Sequence, residues 1–180
     1  MVLPVRTKLI SQKDHQIYLG TFIQNSTSMI ISDPSFELSG PSMFGETYQL
    51  NNVKPGTYHC WTIQSNLTFE NLEDPGHTFS NLENTCLICL NQQYLDFKLN
   101  WKRITDVPVE TGQAGIYDLQ AYHPNKEDWY DLNNLKTASP IGAGLVPSGV
   151  VSSAGGGDGT YEAYAALSNN QVVAVKINFN

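Results

Sequence analysis

Short runs of β-branched and aromatic residues recur along the chain, separated by clusters of Gly, Pro, Asn and Asp, the pattern of strands punctuated by turns. These runs predict strands at 6–11, 16–23, 28–32, 47–50, 57–64, 85–91, 94–99, 115–119, 149–152, 160–167 and 172–179. The clearest two-residue period sets Tyr58, Cys60 and Thr62 against His59, Trp61 and Ile63. Both sets are large, as in a strand covered on both faces. Near the C-terminus, 160–167 and 172–179 flank Ser168-Asn169-Asn170-Gln171. Asn tolerates the left-handed backbone of a tight hairpin, so these segments predict one. Helical spacing is confined to 125–135, where Asn125 is a cap candidate and Trp129, Leu132 and Leu135 recur every three residues. The expectation is an all-β fold: one domain over 1–180, an antiparallel β-sandwich or distorted barrel of about ten strands, with one short helix.

Composition narrows the function. Hydrophobic residues make up 41% of the chain, enough for a real core, and only 15% are charged. Ten basic against 17 acidic residues give a net charge of −7. Phosphate backbones and anionic membranes are bound through Lys and Arg, so neither nucleic acid nor membrane is an expected partner. The first ten residues lack a secretory pattern and no apolar run is long enough to span a bilayer, which predicts a cytoplasmic protein.

Three cysteines fit that placement. Cys86 and Cys89 have the spacing of half a zinc site, but no second ligand pair completes it. On a strand, positions three apart face opposite ways. Two buried, reduced, metal-free thiols are therefore expected.

Three blocks carry a resemblance: Ser32-Asp33-Pro34-Ser35-Phe36, then Thr111-Gly112-Gln113-Ala114-Gly115-Ile116-Tyr117-Asp118, then a block from Ser152 through Gly157-Asp158-Gly159-Thr160-Tyr161 to Tyr164. In this order they resemble an uncharacterised bacterial and phage domain-of-unknown-function family with SDPxY-like, (D)SGQAGI(F/Y)D and GDGxYxxY motifs. The central block departs from that pattern, with Glu110 and Thr111 where the family tends to have Asp and Ser. The resemblance implies no activity, but it singles out these loops.

The candidate ligand-binding residues are therefore Asp33, Gln113, Asp118, Asp158 and Tyr161. Each lies in or beside a turn-like block at a strand end, and loops at one end of a sandwich cluster in space. Asp33, Gln113 and Asp158 are expected to share one polar site. Gln113 and Asp118 are an odd number of residues apart, so a regular strand would send them to opposite faces. Asp33 and Asp158 are also candidate metal ligands, because carboxylates and glycine-loop carbonyls are the hard donors calcium takes. The glycine run reads otherwise as a tight turn, since no Lys-Ser or Lys-Thr closes it as in a phosphate loop. The four histidines stand in unrelated contexts and no nucleophile elbow is present. A non-enzymatic module binding a small polar ligand, a sugar, an ion or a protein partner is the favoured reading. The alternative is a carboxylate-based hydrolase or transferase with acidic residues in a loop-end cleft. Aromatic residues exposed on a sheet face would suit a lectin-like role.

Overall fold

The computed structural model describes residues 6–38, 47–124 and 126–180. Two antiparallel sheets pack face to face as a sandwich, not a closed barrel. Eleven strands build them among the described residues: β1 Thr7–Gln24, β2 Ser28–Ser32, β3 Tyr48–Asn51, β4 Gly56–Asn71, β5 Thr78–Asn91, β6 Trp101–Val109, β7 Gln113–Asp118, β8 Ala143–Val146, β9 Gly149–Ser153, β10 Gly159–Ser168 and β11 Gln171–Asn178. The six-stranded sheet runs β1-β4-β5-β11-β10-β6 and the five-stranded sheet β3-β2-β7-β9-β8.

The alternation along β4 sets the inner face of the larger sheet. Tyr58, Cys60 and Thr62 are buried, and Leu87, Cys89, Val175, Ile177, Ala163 and Ala165 join them from neighbouring strands. Met29, Ile31, Ala114, Ile116 and Val150 oppose them from the smaller sheet. The smaller sheet is also covered on its outer side. There α1 Trp129–Thr137 and the 3₁₀ turn Leu119–Ala121 lie over Ile30, Tyr117 and Val151, with Tyr122 and Trp129 filling a second core. The predicted C-terminal hairpin forms, with Asn169 and Asn170 at φ 50° and 62° in its turn.

The structure departs from the sequence pattern at five places. The strands expected at 6–11 and 16–23 are one continuous strand, β1, with irregular register at Leu9/Ser11 and Tyr18/Gly20. Its polar middle reads as a turn, but this stretch projects beyond the body with β4 and β5 and needs no apolar face. The strand expected at 94–99 is a 3₁₀ turn, Gln92–Tyr94, and a strap leading to β6. Pro108 weakens the strand signal of β6, yet an edge strand tolerates a proline. The short edge strand β8 lies in a Gly-, Ser- and Pro-rich stretch where the pattern predicts no strand. Finally, the helix begins at Trp129, and the expected cap Asn125 lies outside the described residues.

Two of the chain's four crossings between the sheets lie side by side. The β6–β7 turn carries Glu110, Thr111 and Gly112, and the β9–β10 loop carries residues 154–158. Ala154 N–H donates to Gly112 O at 2.8 Å, so the two crossings are joined directly.

Candidate functional site

Asp33 terminates β2 with no solvent exposure. Its carboxylate accepts from five donors: Ser35 N at 2.9 Å, Ser35 Oγ at 2.7 Å, Glu110 N at 2.9 Å, Thr111 N at 2.8 Å, and Thr111 Oγ1 at 2.9 and 2.8 Å to its two oxygens. A carboxylate offers about four lone-pair positions, so this one is fully used. The Ser35 contacts are the Asx-turn chemistry of an Asp-Pro corner; the others tie that corner to the β6–β7 crossing. Glu110 enters through its backbone and Thr111 through backbone and hydroxyl. The corner is clasped from outside by Tyr122 Oη, which donates to Asp33 O at 3.1 Å, and by Trp129 Nε1, which donates to Pro34 O at 3.0 Å.

The three sequence blocks do meet: the first joins the second through the Asp33 carboxylate, and the second joins the third through backbone. Gly112 approaches Gly157, whose Cα lies 4.0 Å from where a Gly112 Cβ would stand, and Gln113 pairs with Ser153 across β7 and β9. The candidate side chains then diverge. Gln113 is buried and its Oε1 accepts from Thr137 Oγ1 at 3.2 Å, at the end of α1. Asp118 is buried at the opposite end of β7, where it accepts from Asn25 N at 2.5 Å, Ser26 N at 3.0 Å and Gln120 N at 2.9 Å. Asp158 is exposed on the glycine loop. Tyr161 is buried and donates to Gly157 O at 2.8 Å; burial, then the nearby Asp158 and Glu83 carboxylates, raise its pKa. Calcium held by Asp33 would have to displace five donors. Among the described residues, no three His, Cys, Asp or Glu side chains gather as a metal shell.

A cavity of about 480 Å³ opens beside these crossings, where the glycine loop meets the larger sheet. Gln64, Asn81, Glu83 and Asn84 line it from β4 and β5, Ser139, Ile141 and Gly142 from the loop before β8, and Ser153, Ala154 and Gly155 from the β9–β10 crossing. Asn84 organises the wall. Its Nδ2 lies within donor reach of Ile141 O at 3.0 Å, Gly142 O at 2.9 Å and Ser153 Oγ at 3.0 Å, while its backbone O accepts from Gly155 N at 3.1 Å. Its buried Oδ1 has no donor among the described residues. Gly155 is required there, because a Cβ would stand 2.6 Å from Asn84 O. Asn81 Nδ2 donates to Glu83 Oε1, turning that carboxylate along the rim.

The glycine block therefore contributes to the cavity through Ser153–Gly155 rather than through Asp158. Sequence reasoning missed Gln64, Asn81, Glu83 and Asn84. They belong to long polar strand extensions with no motif, and only register brings them opposite the glycine loop.

The thiols lie as their spacing predicts, Cys89 toward the core and Cys86 beside Asn178. The near neighbour of Cys89 is Cys60, directly across on β4, with Sγ···Sγ 3.2 Å.

No protein-family model, no curated protein and no solved structure matches this chain. Among the described residues, no helix is long and apolar enough to cross a membrane.

Proposed function

We propose that this domain is a non-enzymatic binding module that takes a small, neutral, hydroxyl-rich ligand of the sugar class in the cavity beside the glycine loop. The cavity's lining carries this reading. Amide, hydroxyl and carboxylate groups converge on about 480 Å³, within the roughly 300–1,000 Å³ of small-molecule sites. Amides both donate and accept, as a polyol requires, and Glu83 supplies a strong acceptor. Among the described residues, Glu83 is the one carboxylate in the lining and no histidine or cysteine joins it, so these residues offer no acid–base pair there. The buried carboxylates Asp33 and Asp118 are engaged by backbone donors, which removes them as candidates for the hydrolase reading. The likeness to the motif family is kept as a proposal of common fold, since its three blocks are the ones that build this junction.

Titration with a panel of mono- and disaccharides tests the reading. At least one should bind saturably, and Glu83→Ala or a cavity-filling Ile141→Trp should weaken it about tenfold or more, the cost of one charge-assisted hydrogen bond. A panel with no binder, or a binder indifferent to both substitutions, refutes it.

A further inference from the structure

Among the described residues no second layer covers the outer face of the larger sheet, and register places one row of side chains across all six strands. Tyr18 pairs with Trp61, Trp61 with Ile88, Ile88 with Lys176, Lys176 with Tyr164, and Tyr164 with Arg103. The next row contains Ala174 and Ala166, small residues that lower the floor between Leu90 and Trp101. The strap that read as a strand returns over this floor. Its Leu95, Phe97 and Leu99, with Trp61, Ile88, Leu90 and Trp101, enclose an apolar groove of about 360 Å³. Phe97 is 63% exposed and Leu95 39%, and both belong to one contiguous apolar lining rather than standing singly.

Beside the groove stands a cation. Lys176 Nζ lies 5.0 Å from the centroid of Trp101, a groove residue, and 4.9 Å from that of Tyr164. Arg103, on the same row, is already paired with Asp106 and Glu162. Lys176 has no carboxylate partner among the described residues, although the chain carries a net charge of −7. Two aromatic faces fix the ammonium and leave its donors directed at no anion.

We infer that the groove binds a small amphiphilic carboxylate of the medium-chain fatty-acid kind, its tail against Leu95, Phe97, Leu99 and Trp61 and its carboxylate on Lys176. Burying the tail supplies affinity, and the ion pair against an aromatic wall selects the head group. This site lies apart from the polar cavity and stands independently of the sugar reading.

Trp61 and Trp101 line the groove while Trp129 is buried in the second core, so tryptophan fluorescence reports occupancy. Decanoate below its micellar range should shift the emission saturably and bind about tenfold more tightly than decanol, with decylammonium weakest. Lys176→Gln should erase the preference for decanoate while decanol still binds. Phe97→Ser, at an exposed position that does not threaten folding, should weaken both. Equal affinity for decanoate and decanol, a preference surviving Lys176→Gln, or non-saturable uptake overturns the inference. So do capture of an acidic leucine-containing peptide without decanoate binding, and a dimer in sedimentation that buries this face.

Discussion

At the scale of single residues, the fold spends its buried carboxylates on backbone. Asp33 holds the β2 corner and the β6–β7 crossing together with five donors and no exposure. Asp33→Asn sets an amide donor against Glu110 N–H or Thr111 N–H, and should cost about 2–4 kcal/mol by urea denaturation. Asp158→Asn, on the exposed loop, should stay within about 0.5 kcal/mol. Equal costs would show that Asp33 is not the pin described. The thiols give a prediction in pH. Burial pushes Cys86 from the ordinary 9.0 up to about 11, with Lys176 opposing, and burial followed by the Cys60 contact also raises Cys89. The folded state thus keeps protons that the unfolded chain releases. For Cys86 this stabilisation is complete below pH 9.0 and lost as pH rises through about 11, at up to about 1.4 kcal/mol per unit; Cys89 acts in the same direction. The urea midpoint should fall between about pH 8 and pH 10.5, and less steeply in Cys86→Ala. A flat profile would contradict the burial of these groups.

At the scale of elements, β7 meets α1 at two points, the Gln113–Thr137 hydrogen bond and the ring of Tyr117. Tyr117 lies back over Gly115, where a Cβ would stand 2.2 Å from its Oη, and over Gly149, where a Cβ would stand 2.7 Å from its Cδ1. The hydroxyl then donates to Asn133 Oδ1 at 3.0 Å, and Asn133 Nδ2 donates to Trp129 O at 2.8 Å within the helix. Gly115→Ala must displace the ring, and should cost at least about 2 kcal/mol and loosen the helix, visible as lost near-ultraviolet dichroism. Full retention of that signal would show that the ring can move without consequence. The sequence block holding Gly115 was legible as important, but its reason lies across the sheet. Legibility follows burial more generally. The strands around Tyr58, Leu87 and Val175 announce themselves, because a covered strand must be apolar. The outer half of β1, the edge strands β6 and β8, and the strap at 95–100 do not. Exposed or edge backbone pairs through hydrogen bonds that any side chain permits. The cavity was illegible for the same reason, since Asn84 and Glu83 sit on strand extensions without a motif, and of its lining only Ser153–Gly155 belong to a motif block.

At the scale of the whole molecule, the domain divides into a packed body and a three-stranded arm. The outer parts of β1, β4 and β5 stay paired from Thr7↔Asn71 to Glu70↔Thr78 while their side chains are largely exposed. The arm projects roughly 25 Å at the usual rise per residue. One apolar row crosses it, Leu9, Phe69 and Phe79, with the two phenyl rings 5.5 Å apart, while Ile10 and Leu82 are exposed. A ribbon of so little buried area is marginal by itself and should open locally without unfolding the body. Hydrogen exchange should therefore release amides near 66–71 and 78–82 well before those of 87–90 and 173–177. Phe79→Ser should lower global stability by less than about 1 kcal/mol, whereas Leu87→Ala, in the core, should cost about 2–5 kcal/mol. Comparable costs would mean that arm and body unfold as one. The arm's base, at Asn81–Asn84, is also one wall of the polar cavity. A sugar held there joins the arm to the glycine loop, so saturating ligand should slow exchange at 81–84 and leave 66–71 unchanged. Ligand that slowed both segments alike would place its binding along the arm rather than in the cavity.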